Sequence, residues 1–446
     1  MLKKNRNKSD LDKMLGEKYE VVARDLTTDG SGVGSIEDIT VFVPGLLPEE
    51  IGRVQVSEIK KNYLRADLIE ILKSSEIRND PPCPVFGECG GCRLQHMNYE
   101  DTLYWKRIWV ESALRRIGRI EPKVLPVIGM ENPWGYRNKA VLHRDTNGKM
   151  GYYREKTSDI IEFPECLLIS ATMNKRLKVL KELLGLEYKE LKSVTLRENS
   201  SGKGMVIFEG SIEDSQRFCK RIKEIHKAQG LSPEICSIVA SEGKEICKEK
   251  GTPYYTETIG GLNFRVSPRA FLQVNTEQTR ILYSLVMKLA DLTGKETVWD
   301  LYCGIGTMTL MLAGKAAKVI GIEENSSAIE DAVYNAKANG ISNTKFVEGK
   351  VEKKLGDFTK NADLVVVDPP RAGLNRAVVQ RLLEVRPQKI IYVSCDPATM
   401  ARDIGLLVNG DENLKGAYEI GEVQPVDMFP WTGHVETVVL MSRVNK

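Results

Sequence analysis

The chain has 446 residues, 42% hydrophobic and 28% charged, the make-up of a soluble globular protein of roughly two to four domains rather than a collagenous or disordered chain. No stretch approaches the roughly 20 apolar residues of a membrane span, and the polar, basic start from Met1 to Asp10 has no signal-peptide core, so a cytoplasmic protein without membrane attachment is expected. The net charge of +3 decides little, because nucleic-acid binding shows as local patches, and the nine cysteines, odd in number without an export signal, point away from disulfides and toward metal ligation or nucleophilic catalysis.

Residues 14 to 74 read as β. Short apolar or alternating runs recur at Tyr19-Glu20-Val21-Val22, Ile39-Thr40-Val41-Phe42-Val43, Arg53-Val54-Gln55-Val56 and Ala66-Asp67-Leu68-Ile69-Glu70-Ile71. Asp29-Gly30-Ser31-Gly32-Val33-Gly34 and Pro44-Gly45-Leu46-Leu47-Pro48 separate them with turn chemistry. About five such strands predict an OB-like β-barrel, a shape often used on RNA. The basic tail Lys3, Lys4, Arg6 and Lys8 before it is either a solvated start or an RNA contact.

Residues 75 to 97 are rich in Cys, Pro and Gly. Residues 98 to 123 carry one amphipathic helix, read over 99 to 118, with Leu103, Ile108, Val110 and Leu114 roughly on one side and Lys106, Arg107, Arg115 and Arg116 adding charge. That helix is expected to pack on the C-terminal domain. Residues 124 to 262, with 75 to 97, mix strands and helices without a nucleotide loop and read as a central α+β domain. Cys83, Cys89 and Cys92 lie close in sequence, and Cys166 follows much later. Four such thiolates suit an iron–sulfur cluster or a structural zinc, and spacing alone does not choose. Cys219, Cys236 and Cys247 show no ligand spacing.

From 263 to 446 strands alternate with helices, the pattern of a doubly wound, Rossmann-like parallel sheet. Thr297-Val298-Trp299-Asp300-Leu301 runs into Tyr302-Cys303-Gly304-Ile305-Gly306, where glycines let backbone approach a ligand. Thr309 stands where a dinucleotide fingerprint needs its third glycine, which disfavours a pyrophosphate. The next strand ends at Glu323-Glu324, placed to take ribose hydroxyls. S-adenosylmethionine, with a ribose and no phosphate, suits this pattern, although nucleotide-dependent oxidoreductases share most of it. A third strand delivers Asp368-Pro369-Pro370-Arg371, where proline must leave the sheet, and a fourth ends in Ser394-Cys395-Asp396-Pro397.

A cysteine on that rim is a candidate nucleophile. Carbon 5 of a pyrimidine is too electron-poor to take a methyl group unaided; a thiolate adding to carbon 6 activates it, and a base must then remove the carbon 5 proton. Glu436, in Gly433-His434-Val435-Glu436 before the apolar run Thr437-Val438-Val439-Leu440, is the candidate base.

With these residues the chain resembles the bacterial 23S ribosomal RNA (uracil-5-)-methyltransferases. Five segments carry the likeness: Phe271-Leu272-Gln273-Val274-Asn275, residues 300–307, Asp368-Pro369-Pro370-Arg371, residues 394–399, and His434-Val435-Glu436. The resemblance implies a Rossmann-like S-adenosylmethionine domain, a TRAM-type RNA-binding barrel, and a [4Fe-4S] cluster on Cys83, Cys89, Cys92 and Cys166. It implies cofactor contacts from Gln273, Tyr302, Glu323 and Asp368, with Cys395 as nucleophile and Glu436 as base. The family commonly has Asn where Asp396 stands. Tyr136-Arg137-Asn138-Lys139 matches a further family segment, expected to touch RNA or brace the site. A monomer acting on 23S ribosomal RNA is the expectation. A transfer-RNA enzyme is one alternative, and a non-catalytic RNA-binding ribosome assembly factor is the other.

Overall fold

Alternation of apolar and polar residues in short runs, then apolar runs divided by helical periods, resolves into three large sheets in series. The computed structural model describes residues 12–183, 191–211, 213–214, 217, 220, 235–242, 245–251, 254–357 and 362–444. The first sheet contains β1 (Lys18–Val22), β2 (Asp25–Leu26), β3 (Ser31–Ile36), β4 (Ile39–Pro44), β5 (Ile51–Ile59) and β6 (Tyr63–Lys73), in the order β1-β5-β6-β4-β3-β2. Val21, Val41, Val43, Val54, Val56, Leu64 and Ala66 fill its interior. Just past β1, Arg24 N donates to Val33 O at 2.8 Å, which brings the first strand back against β3. A Cβ on Gly34 would collide with Val21 there. The 29–34 segment, expected wholly as a turn, is therefore turn and then strand. Its glycines serve a close crossing of strands as well as the bend.

Helix α1 (Tyr99–Ala113) follows. Val110 and Leu114 of the expected apolar side are buried, as are Thr102, Lys106 and Trp109, while Leu103 and Ile108 are half-buried. Trp109 Nε1 donates to Leu26 O in β2 at 2.7 Å, while Val110 and Leu114 enter the core of the C-terminal sheet. The helix is thus gripped on two sides. Its last turn, Leu114–Gly118, widens to a π-turn and ends at Arg119 in the left-handed region.

The central sheet runs β13-β12-β11-β10-β7-β8-β9, built from β7 (Lys139–Arg144), β8 (Met150–Tyr153), β9 (Ile160–Ile161), β10 (Ser193–Glu198), β11 (Gly204–Glu209), β12 (Ile235–Glu242) and β13 (Glu245–Gly251). Helix α2 (Ala171–Leu183) lays Met173, Leu177 and Leu180 on Leu142, Val194, Leu196 and Phe208 of this sheet. A hairpin, β14 (Tyr255–Ile259) and β15 (Leu262–Val266), leads to α3 (Thr276–Ala290), whose N-terminus Asn275 caps by accepting from Gln278 N.

The third sheet contains β16 (Thr297–Leu301), β17 (Lys318–Glu323), β18 (Thr344–Glu348), β19 (Leu364–Val367), β20 (Lys389–Ser394), β21 (Tyr418–Val426) and β22 (Glu436–Arg443). Between them run α4 (Thr307–Ala313), α5 (Ser326–Ala338), α6 (Val351–Lys354), α7 (Arg376–Val385) and α8 (Pro397–Asn409). Successive residues feed opposite cores. Val298, Leu364, Val366, Ile391 and Val393 enter one, and Trp299, Val365, Val367, Ile390 and Tyr392 the other. Full burial of such a side chain contributes about 1.5–3 kcal/mol. The order is β18-β17-β16-β19-β20-β22-β21. Six strands run in one direction, as a doubly wound sheet predicts, and β22 alone runs antiparallel, to both its neighbours. The order reverses at β16, which pairs with β17 on one side and β19 on the other, and the crevice beyond their carboxyl ends is the ligand position of such sheets.

Candidate active site and the adjacent cysteine cavity

The loop leaving β16 is bent by residues in the left-handed region: Tyr302 at φ +67°, Gly304 at +53° and Gly306 at +82°. Tyrosine there carries a steric cost. Two bonds hold it, from Tyr302 N and Cys303 N to Ile322 O at 2.9 and 3.0 Å. Glu323, ending β17, accepts from Gly304 N at 3.1 Å and Asn325 N at 2.8 Å. Gln273, Tyr302 and Asp368 line one narrow cleft with Phe271 and Asp300, whereas Glu323 ties the loop without joining that lining. Phe271 is 66% exposed, a large apolar ring at the mouth.

Sequence reading missed Asp300 as a site residue. The signal was a carboxylate inside the apolar run of β16. Asp300 is buried and accepts from Thr309 Oγ1 at 2.5 Å. Burial pushes Asp300 and Asp368 up to about 7, and pushes Glu436 well above the usual carboxylate range. Asp300 and Asp368 line the small cleft, and Glu436 lies close enough to Asp368 for its charge to raise it further.

Strand direction brings the rim residues together. In the antiparallel pair β20–β22, Ser394 lies opposite Thr437. The first residue of β22 therefore sits at the same rim as the last of β20, and Glu436 adjoins Cys395. Burial pushes the Cys395 thiol up to about 11, with Glu436 and Asp368 adding to the effect and Arg371 opposing it. Asp396 caps α8 by accepting from Ala398 N at 3.0 Å and Thr399 N at 2.9 Å, with Pro397 in the first turn. An acceptor oxygen is all this cap requires, and the Asp396 carboxylate supplies it as an Asn side chain would. Arg371 Nη2 lies 3.1 Å from His434 Nε2. Burial first, then Arg371, pushes His434 down to about 4, leaving its ring neutral and able to accept from the guanidinium.

Residues 136–139 brace this site. Asn138 Nδ2 donates to Gln273 O at 3.0 Å and Thr276 Oγ1 at 3.2 Å, and Asn138 N donates to Val274 O at 2.9 Å. A second brace was misread from sequence. Lys106, expected on a charged face, is completely buried and lies 2.5 Å from the equally buried Asp427, which also accepts from Tyr99 OH at 2.8 Å. Lys106 donates further to Phe429 O at 3.0 Å. A lysine among apolar neighbours in a helix carries no local mark of its buried partner 321 residues away.

Behind the same wall lies a cavity of about 560 Å³. Gln273 faces the cleft, and its neighbour Val274 faces this cavity. Cys83, Cys89, Cys92 and Cys166 all line it as free thiols, with Arg137 and Lys139. Burial pushes Cys89 and Cys166 up and Cys92 up to about 12; the other thiols raise Cys89 and Cys92 further, and Arg137 lowers Cys166. Among the described residues no group of three or more His, Cys, Asp or Glu side chains is spaced to hold a metal ion. Cys219 lies outside the described residues, and Cys236 and Cys247 fall in β12 and β13.

Residues 153–444 match the family described as tRNA (Uracil-5-)-methyltransferase, and residues 12–69 match the TRAM domain. An uncharacterized RNA methyltransferase of Halalkalibacterium halodurans is 39% identical, covering 96% of this chain and 97% of its own. One from Bacillus cereus is 38% identical with the same coverage. The crystal structure of the Pyrococcus abyssi tRNA (uracil-54, C5)-methyltransferase in complex with S-adenosyl-L-homocysteine is similar at TM-score 0.72 and 28% identity, over 95% of this chain and 100% of that one. No helix among the described residues is long and apolar enough to cross a membrane.

Proposed function

The chain belongs to the RNA (uracil-5-)-methyltransferase family and carries a TRAM domain, and from that premise we propose that it methylates carbon 5 of a uridine in 23S ribosomal RNA through a covalent adduct on Cys395. The observation that carries the mechanism is the Ser394–Thr437 pairing, which sets a thiol and a buried carboxyl side by side where Asp368 ends its strand. Cys395 gives up its thiol proton to solvent and adds as thiolate to carbon 6 of the uracil, forming a C–S bond and moving the ring electrons onto the carbon 5–carbonyl system. When bound, S-adenosylmethionine would supply the electrophilic methyl group that carbon 5 takes up, its S–CH3 bond breaking to leave S-adenosylhomocysteine. Glu436 as carboxylate then removes the carbon 5 proton, the ring double bond re-forms, and the thiolate leaves. Arg371, beside neutral His434, is a cation whose charge favours the Cys395 thiolate. Gln273, Tyr302, Glu323 and Asp368 hold the cofactor. Its fit rests on charge: buried Asp300, Asp368 and Glu436 favour a cationic sulfonium, and a pyrophosphate would add to their repulsion.

The four cysteines offer four thiolates around one cavity, a set that a [4Fe-4S] cluster and a structural zinc both accept; the family likeness favours the cluster. Methyl transfer moves no electrons, so the group's role is structural. Uracil buried in an RNA helix is out of reach and must be flipped into the cleft, where the exposed Phe271 offers an apolar face.

A transfer-RNA substrate is the second reading. The likeness to the archaeal tRNA enzyme extends over 95% of this chain, so the barrel does not by itself separate the two substrates. Nucleoside mass spectrometry after incubation with S-adenosylmethionine and either unmodified 23S ribosomal RNA or transfer RNA tests both. New 5-methyluridine confined to the ribosomal RNA is expected. Its appearance only in transfer RNA moves the substrate and keeps the mechanism. No product in either sinks the activity.

A further inference from the structure

The loop that delivers His434 and Glu436 meets two other parts of the chain at one point. Arg93 and Leu94, directly after Cys92, both donate their backbone N–H to Trp431 O, at 2.9 and 3.1 Å. Trp431 holds φ +65°, a left-handed conformation that a tryptophan rarely adopts, and this aims its carbonyl at the cysteine loop. Its indole stacks on Trp134 with centroids 4.5 Å apart, and Nε1 donates to Pro133 O at 3.1 Å. Cys92 and Cys166 pack against the same small apolar cluster as Trp431. From there the chain reaches the rim in a few steps. Thr432 Oγ1 donates to Phe429 O at 2.8 Å and accepts from His434 N at 3.3 Å, and Glu436 opens β22 two residues later. The barrel joins the contact: a Cβ on Gly433 would sit on Thr28 O, and one on Gly30 would lie 2.8 Å from Arg93 O.

We propose that Trp431 is a positioning residue that makes the placement of Glu436 depend on the filled cysteine site. This rests on the reading of Glu436 as base and of the four cysteines as ligands. A filled site fixes residues 92–94; these fix the Trp431 carbonyl, and the short turn that follows fixes the carboxyl beside Cys395. An emptied site frees residues 92–94, and the turn loses its two backbone bonds. The coupling is reciprocal, since whatever steadies the loop must steady the metal group by the same factor.

Three measurements test it. Metal and sulfide analysis establishes whether wild type is loaded and Cys92→Ser is not. Hydrogen exchange then compares the two: segment 429–436 should exchange about 10-fold faster in Cys92→Ser, with the core of β16 unchanged. In Trp431→Ala, the cluster absorbance should bleach about 10-fold faster under chelator than in wild type, while Trp431→Phe, which keeps the stack, should restore most of the resistance. With 5-fluorouridine RNA, which blocks the proton-removal step, Trp431→Ala should still form the covalent adduct. With ordinary uridine RNA it should resolve that adduct slowly. Cys92→Ser that loses its metal while segment 429–436 keeps wild-type exchange overturns the coupling and leaves the cysteine reading intact. Equal slowing of adduct formation and resolution overturns the positioning role. Wild type without metal or sulfide overturns the cysteine reading, and the coupling with it.

Discussion

The cleft at the strand ends and the cavity lined by the cysteines share one wall, residues 271–274, and they are unbalanced in opposite senses. The cleft is narrow and gathers the buried carboxyls Asp300 and Asp368, with Glu436 near Asp368, all pushed above their usual range by burial. The cavity is wide and gathers thiols pushed up, with a lysine, Lys139, pushed down to about 8 by burial and by Arg197. Buried groups that disfavour their own charge identify what would relieve them. In the cleft that is a cation of modest size. In the cavity the proposed [4Fe-4S] cluster would be that group.

Replacing Cys395 by Ala breaks the comparison most severely, because it removes the thiol proposed to attack carbon 6. Formation of 5-methyluridine should fall by at least about 10⁴-fold, with no adduct to 5-fluorouridine RNA on a denaturing gel. An adduct that persists would move the nucleophile elsewhere. Next in size is Glu436→Gln. Turnover should drop about 10²–10⁴-fold, and the covalent RNA complex should accumulate because elimination follows proton removal. Turnover lost with no shifted band would leave Glu436 without the base role.

A third test concerns the strut that holds the two sites together. Lys106→Met strands the buried Asp427 carboxylate and should cost about 3–5 kcal/mol of unfolding free energy by denaturant titration. Adding Asp427→Leu should recover much of that loss, since a well-packed apolar pair removes both charges. Equal stability of wild type and Lys106→Met would show that the pair does not brace α1 against the loop before β22.

The smallest effect is the sharpest on charge. Folded Asp300 and Asp368 titrate near 7, above the unfolded value near 4. The folded state binds more protons between these limits, so their contribution to stability is full below about pH 4 and is lost as pH rises toward and through 7. A bound sulfonium should offset that loss. At pH 8, S-adenosylmethionine should stabilise the protein more than its neutral-sulfur product S-adenosylhomocysteine, by on the order of 1 kcal/mol. At pH 5 the difference should shrink. Thermal shifts that do not depend on pH would show that the carboxyls do not sense the sulfonium.

Much of the architecture was legible in advance because its signals are local. Apolar runs ending in Gly, Pro or acidic residues marked β16, β17, β19 and β20, and the same chemistry that ended each strand put Tyr302, Glu323, Asp368 and Cys395 at one end of a sheet. The barrel strands were legible by alternation, apart from β2, which has two residues, and β3, whose glycines read as a turn. Two things escaped. The buried face of α1 keeps Val110 and Leu114 of its apolar side but extends to Lys106 and Trp109, because Lys106 finds a carboxylate and Trp109 finds a carbonyl, both far away in sequence. Asp300 escaped because a single acid in an apolar strand does not reveal whether it faces solvent, a neighbour or a ligand.

The residue types and their order along the chain are properties of the sequence: thiols in two groups, glycines at a strand end, a carboxylate before the last apolar run. Neighbourhood belongs to the tertiary structure. Glu436 adjoins Cys395 because β22 enters the sheet antiparallel, between β20 and β21, in the register that pairs Ser394 with Thr437. The four cysteines share a cavity with Val274 because residues 136–139 bind the backbone of residues 273–276. Strand direction, register and burial of a charge depend on partners hundreds of residues apart, and local periodicity carries no information about them.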